Sequence, residues 1–272
     1  MNGIKKILKT ILPIFLAILL GHCESEFPWK IKSKQVGGIV IDAIITNEMK
    51  AQCVNASNTN ENINMPSTPV SGLTITLSDN IHEYSFSESI SKPGSYYSVP
   101  FQAVVGKKYS LTISQISTVY TAQDSMVAIT PLDTFNLAKD NTTGLYQYIP
   151  ISGTEPTMLE VFMDWSSIPS YCSLYGHCEA QETFYKLDNL DVNKVFSPEQ
   201  EIIHFPAGTK IVRRKYSLSP EHQAFLRSLL METEWRGGLF DVQAGNVKSN
   251  ISNGAWGFFG VCMVLTDSLI VK

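Results

Sequence analysis

No stretch of this 272-residue sequence approaches the ~20 consecutive apolar residues that a membrane-spanning helix needs. The apolar run near its start, Ile11 to Leu20, has ten residues. Positive charge is also scarce. The 21 Lys and Arg are outnumbered by 25 Asp and Glu, which argues against a nucleic-acid partner, since that calls for clustered basic side chains. Gly-x-Ser-x-Gly, a phosphate-binding loop, His-Glu-x-x-His and a calcium-loop pattern are all absent, so the common sequence signs of enzyme chemistry are missing. The expectation is a protein with no catalytic centre, no cofactor and no metal.

What is present begins with a leader. Lys5, Lys6 and Lys9 precede the ten apolar residues, and Leu20-Gly21-His22-Cys23 follows them. A short apolar run with a basic flank suits a secretory signal over residues 1–22. The tetrad resembles a lipobox, which makes Cys23 the acylated first residue of the exported chain. His22 departs from the small residue usual before that Cys, and the relaxed lipoboxes of Bacteroidota tolerate such a residue. Acyl chains contribute ~0.8 kcal/mol per buried CH₂, so Cys23 would anchor the protein while its body stays in water. Glu24-Ser25-Glu26 places acid directly after the anchor, like the signal that sends such lipoproteins to the cell surface. Without the leader, 18 Lys and Arg remain against 25 acids, a net charge of −7 over 250 residues.

Besides Cys23 there are Cys53, Cys172, Cys178 and Cys262. An even count in an oxidising compartment suggests disulfides. Cys172 with Cys178 is the favoured pair, because they flank a short Gly-containing loop, and Cys53 with Cys262 is the remainder. Buried free thiols are the alternative. Zinc at Cys172, His177, Cys178 and Glu179 is disfavoured, because the two Cys are spaced more widely than Cys-x₂₋₄-Cys.

Residues 23–35 read as a tether. Gly38 to Thr46 is rich in β-branched residues and reads as a strand, while 50–69, full of Asn, Ser, Thr and Pro, reads as a long exposed loop. Leu73-Ile75-Leu77 and Tyr109-Leu111-Ile113 alternate with polar residues, the period of half-buried strands. Segments 83–86 and 96–99 add two more, separated by Pro93-Gly94. This spacing predicts an immunoglobulin-like or transthyretin-like β-sandwich over 36–130. A second β-rich domain, 131–272, is predicted from alternation at 158–165 and 210–218. One helix, near 220–233, starts with Ser219 as N-cap, Pro220 in its first turn and Glu221 behind it, and stops at Gly237-Gly238. Ala255 to Leu265 reads as a central strand, turned at Thr266-Asp267-Ser268 into 269–271. Gly254, Gly257 and Gly260 mark close backbone approach, with Trp256 and Phe258 on one face and Phe259 on the other. The basic group Lys210, Arg213, Arg214 and Lys215 lies in an alternating strand and cannot form one patch, and Arg213 and Lys215 are expected to share a face.

These features in this order resemble the Bacteroidota lipoprotein family known as domain of unknown function 4249. The carrying residues are Cys23, the Gly38–Asn47 strand, Val70-Ser71-Gly72-Leu73-Thr74-Ile75, Pro93-Gly94-Ser95-Tyr96 and Gly106 to Leu111. The tail adds the Ser-Pro-initiated helix, Gly237 to Asp241, Gly245-Asn246-Val247 and Trp256 to Gly260. The resemblance assigns no activity. It implies a neighbourhood, since members are often encoded beside TonB-dependent transporters.

The expected function is therefore that of a lipid-anchored, surface-facing accessory subunit of an outer-membrane β-barrel, foremost a TonB-dependent transporter. Outer-membrane assembly or secretion machinery is the alternative partner, and a glycan-acting enzyme is the rival of another class. Tyr171, Tyr175, Phe184 and Tyr185 concentrate aromatic side chains in a 171–185 loop and are the candidate contact residues. The 50–69 loop is the second candidate surface. His82, His204 and His222 are expected at the surface or satisfied in the core, and Asp188 with Asp191 in a solvated turn.

Overall fold

Alternation of apolar and polar side chains builds most of this chain into strands. In the computed structural model the described residues are 37–60, 65–151, 153–188, 202–235 and 247–272; Cys23, Asp191 and the tether lie outside them. The first seven strands are β1 (Ile39–Thr46), β2 (Lys50–Asn58), β3 (Thr74–Ser78), β4 (Glu83–Glu88), β5 (Ser95–Phe101), β6 (Lys108–Gln115) and β7 (Thr118–Ser125). Two short strands, β8 (Leu137–Lys139) and β9 (Tyr146–Tyr148), pair with each other. Then come β10 (Thr157–Asp164), α1 (Pro169–Tyr175), β11 (Glu179–Lys186), β12 (Lys210–Ser217), α2 (Pro220–Glu232), β13 (Trp256–Cys262) and β14 (Val264–Ile270).

Eight strands run in the order β13-β1-β2-β5-β4-β3-β6-β7. Ile39, Ile41, Ala43 and Ile45 of β1, Ile75 and Leu77 of β3, and Tyr109, Leu111 and Ile113 of β6 face one shared core. The two ends of the ladder meet. The Val261 N–H donates to the Asp124 carboxylate at 2.7 Å, and the Ser252 N–H donates to the Thr121 carbonyl at 2.9 Å, so β7 closes on β13 through side chains and the preceding loop. The fold is mainly β, with an immunoglobulin-like sandwich followed by a second β-rich layer.

The expected loop over 50–69 is corrected in its first half. Residues 50–58 form β2, whose Gln52, Val54 and Ala56 are buried while Cys53 and Asn55 are not. Its neighbours β1 and β5 hydrogen-bond to it on both sides, which outweighs the low strand preference of Asn, Ser and Gln.

The second sheet has the order β11-β10-β12-β14. Val161, Met163, Trp165, Phe205, Ile211 and Tyr148 form its core. Arg213 and Lys215 share its inner face, as their spacing predicts. Both are buried and both are fully engaged. Arg213 donates to Asp267, to the Tyr148 hydroxyl and to the Asp133 carbonyl, with its guanidinium 3.7 Å from the centre of the Phe135 ring. Lys215 meets Glu155 at 3.0 Å and also donates to Thr130. These cations hold the 130–155 crossover against the sheet.

Two further expectations are corrected here. Thr266-Asp267-Ser268 does not turn. It lies within β14, held to β12 by the Arg213–Asp267 pairing, and the interruption falls at Met263. Gly257 does mark a close approach. It has φ +93°, and a Cβ there would collide with the Ile41 carbonyl across the parallel β1–β13 pairing. Since β13 belongs to the first sheet and β14 to the second, one nearly continuous run joins them. The joint is closed by Ser217 N–H to the Met263 carbonyl (2.9 Å), Val264 N–H to Asn47 Oδ1 (2.6 Å) and an Arg214–Glu48 ion pair (2.7 Å).

Helix α2 begins as its sequence predicts, with the His222 N–H donating to Ser219 Oγ at 3.1 Å and Pro220 in the first turn. Gly237-Gly238, the expected stop, lies outside the described residues. A second helix, α1, joins the single one expected.

The pairing registers give the sandwich two distinct ends. The chain enters β1 from Gly37-Gly38 at the end that also carries the 89–94 and 116–117 turns, because Ile39 pairs with Asn58, Asn55 with Ser95, Glu88 with Tyr96, and Thr74 with Ser114. The second sheet joins at the opposite end, where β13 finishes.

Candidate functional site

Cys172 and Cys178 are disulfide-bonded, with Cα atoms 4.7 Å apart. They pin α1 to the start of β11. The 171–185 stretch is not a loop. Pro169 starts α1, Gly176 leaves it with φ +74°, and residues 179–186 pair with β10 over their whole length.

That regular structure separates the four candidate aromatics. The Tyr171 hydroxyl donates to the His204 carbonyl at 2.7 Å, and its ring meets Trp165 edge-on at 5.6 Å. Phe184 lies 5.8 Å from Tyr148 and against the second core. Both are half-buried against the core of their own layer. Tyr185 follows Phe184 on the strand and faces the other side. Burial pushes its phenol up to about 12, with the charges of Glu234 and Glu160 adding. Tyr175 belongs to α1, and its side chain is not among those described. Alternation of Ala180, Glu182 and Phe184 against Gln181, Thr183 and Tyr185 was the signal for this split. What α1 presents to solvent is Leu174, 73% exposed, and beyond β11 no further strand pairs among the described residues.

Among the described residues, an arrangement that resembles an enzyme nucleophile lies elsewhere, at the joint between α2 and β13. His222 Nδ1 is 3.5 Å from the Cys262 sulfur, and the acid Asp124 is close enough to act on the thiol. Its electrostatics run against catalysis. Burial lowers the His222 imidazole to about 4, while burial, helped by Asp124, pushes the Cys262 thiol far above its usual range. A nucleophilic Cys–His pair requires the reverse, a thiolate stabilised by a cationic or basic neighbour with access to substrate. Here the imidazole is stacked 4.7 Å from Phe258 and both groups are buried. The pair is packing.

The remainder pairing of Cys53 with Cys262 is not formed; both are free thiols. Strand β1 lies between β2 and β13, and Cys53 points outward from β2 toward Asn55 while Cys262 is interior. His82 and His204 are at the surface, His222 is in the core, and Asp188 is exposed. Among the described residues no group of three His, Cys, Asp or Glu side chains is placed to hold a metal. A cleft of about 340 Å³ runs beside α2, lined by Asp188, Gln223, Arg227, Ser228 and Lys248 among others.

Residues 24–268 match the family described as Domain of unknown function (DUF4249). The chain belongs to that family. The DUF4249 match takes in both sheets, α2 and the crossing run β13–β14 as far as Ser268, so the joint between the layers is part of the family unit. Among curated proteins, no relative matches.

Proposed function

We propose that this DUF4249 protein is a lipid-anchored accessory subunit of an outer-membrane β-barrel, foremost a TonB-dependent transporter, and that it acts by presenting a surface. The observation that supports this is the polarity of the fold. The chain segment leading back to Cys23 enters at one end of the sandwich, and the second sheet projects from the other. An anchor at Cys23 would thus hold the second layer, with its disulfide-pinned helix and β11, the last strand of its sheet among the described residues, out from the lipid. Exposed strand edges are sites for adding a partner strand. Leu174 offers an apolar contact beside the edge on a helix that the disulfide keeps in place. The partner class follows from the family neighbourhood set out above.

A photo-crosslinking residue placed at Leu174 in the full chain, in intact membranes, tests this. Adducts to an outer-membrane barrel are expected from Leu174 and not from Ile116 at the opposite end. A membrane-bound chain that gives no barrel adduct from Leu174 contradicts the proposed surface, and adducts to secretion or assembly components would move the partner to that class.

A further inference from the structure

The two most exposed apolar side chains of the described residues lie at the same end of the sandwich. Ile90, in the turn between β4 and β5, is 102% exposed, and Ile116, in the turn between β6 and β7, is 108% exposed. Neither packs on its own protein. Ile116 also has φ +46°, a left-handed conformation that β-branched residues rarely adopt and that Gly or Asn would take at less cost. A hairpin tip that carries isoleucine in this conformation gains nothing for the fold from that side chain. Ile90 stands among Ser89, Ser91 and Lys92, with Glu88 just before them, and Ile116 stands between Gln115 and Ser117, so each apolar side chain projects from a polar turn.

This is the end at which the chain enters β1 from Gly37-Gly38. Thirteen residues, Glu24 to Val36, separate it from Cys23, which limits the distance to ~45 Å even if fully extended. Their composition is that of a bilayer interface, with Phe27, Trp29 and Ile31 interspersed with Lys30, Lys32 and Lys34. Aromatic side chains and Lys both favour the headgroup region. We infer that this end of the sandwich rests on the lipid bilayer, with Ile90 and Ile116 inserted among the acyl chains and the second sheet facing away. The inference rests on the anchoring through Cys23 proposed above. Two isoleucines alone would give weak partition into a membrane. A short tether raises their effective concentration at the lipid surface, so they need only orient a body that is already held there.

The test uses the full, acylated chain with Cys53→Ser, carrying in turn Ile90→Cys, Ile116→Cys or Ile81→Cys. Each is spin-labelled and reconstituted into vesicles of phosphatidylethanolamine and phosphatidylglycerol. Ile81 is 75% exposed in the β3–β4 turn at the opposite end, and serves as the aqueous reference. The accessibility of each label to oxygen is compared with its accessibility to a water-soluble nickel chelate. The expected result is a several-fold higher oxygen-to-nickel ratio at positions 90 and 116 than at 81. A chain that floats with the vesicles while all three labels read as aqueous overturns the inference alone. Labels at 90 and 116 shielded from both reagents mean a protein partner or a second copy covers these tips, and also overturn it. A chain that fails to float overturns the anchor and the inference together.

Discussion

His222 is an ionisable side chain on the buried face of α2, stacked on Phe258 where its charge cannot be solvated. Its folded imidazole protonates near 4, whereas an unfolded one does so near 6.5. Between those values the unfolded chain binds more protons than the folded one, so stability falls as pH drops through 6.5 toward 4 and the loss levels off below. At about 1.4 kcal/mol per pH unit the full loss is on the order of 3 kcal/mol. Asp124, whose carboxyl is raised by burial, works in the opposite sense and trims it. Urea midpoints at pH 7.5, 6 and 5 should decline for the wild type and stay nearly level for His222→Phe; equal declines would remove His222 as the cause. The two free thiols make a second contrast. In the native protein an alkylating reagent should modify Cys53 and leave Cys262 untouched until unfolding. Equal modification of the two, or a peptide linking them, would contradict the placement of Cys262 in the core.

At the scale of elements, the difference between local and distant causes decides what the sequence discloses. Strands β3 and β6 and the start of α2 were legible because period-two alternation and a Ser-Pro cap act within a few residues. Strand β2 was not, since its Asn- and Ser-rich composition is overruled by ladders on both sides. The break at Met263 was hidden for a related reason. Nothing local separates 255–262 from 264–270, and the division is imposed by two sheets that each recruit half of the run. The candidate site suffered likewise, since Tyr171 and Phe184 are near in sequence to Tyr185 but packed into their own core. Gly257 and Gly254 test the joint directly. Both have positive φ, but only at Gly257 would a Cβ strike the β1 backbone, while Gly254 faces open space. Gly254→Ala is expected to cost about 1 kcal/mol from its backbone conformation alone. Gly257→Ala is expected to cost more than about 3 kcal/mol, since collision is added to strain. Similar unfolding midpoints for the two variants would mean that β13 does not press on β1 at Gly257.

For the molecule as a whole, the run that crosses between the layers sets the second sheet at the end of the sandwich opposite the one where Gly37-Gly38 leads into β1. That polarity gives meaning to an anchor at Cys23. Cys23→Ser should release the protein from carbonate-washed membranes into the soluble fraction; retention of the variant would show that something other than acylation holds it. The partner is the larger claim. Its most direct measurement is purification of the full, tagged wild-type chain from membranes dissolved in mild detergent, with mass spectrometry of what accompanies it and Leu174→Asp carried alongside. The expected result is a stoichiometric outer-membrane barrel with the wild type and its loss with the folded Leu174→Asp variant. Wild-type protein that is acylated, folded and recovered alone would contradict a role as the subunit of such a barrel.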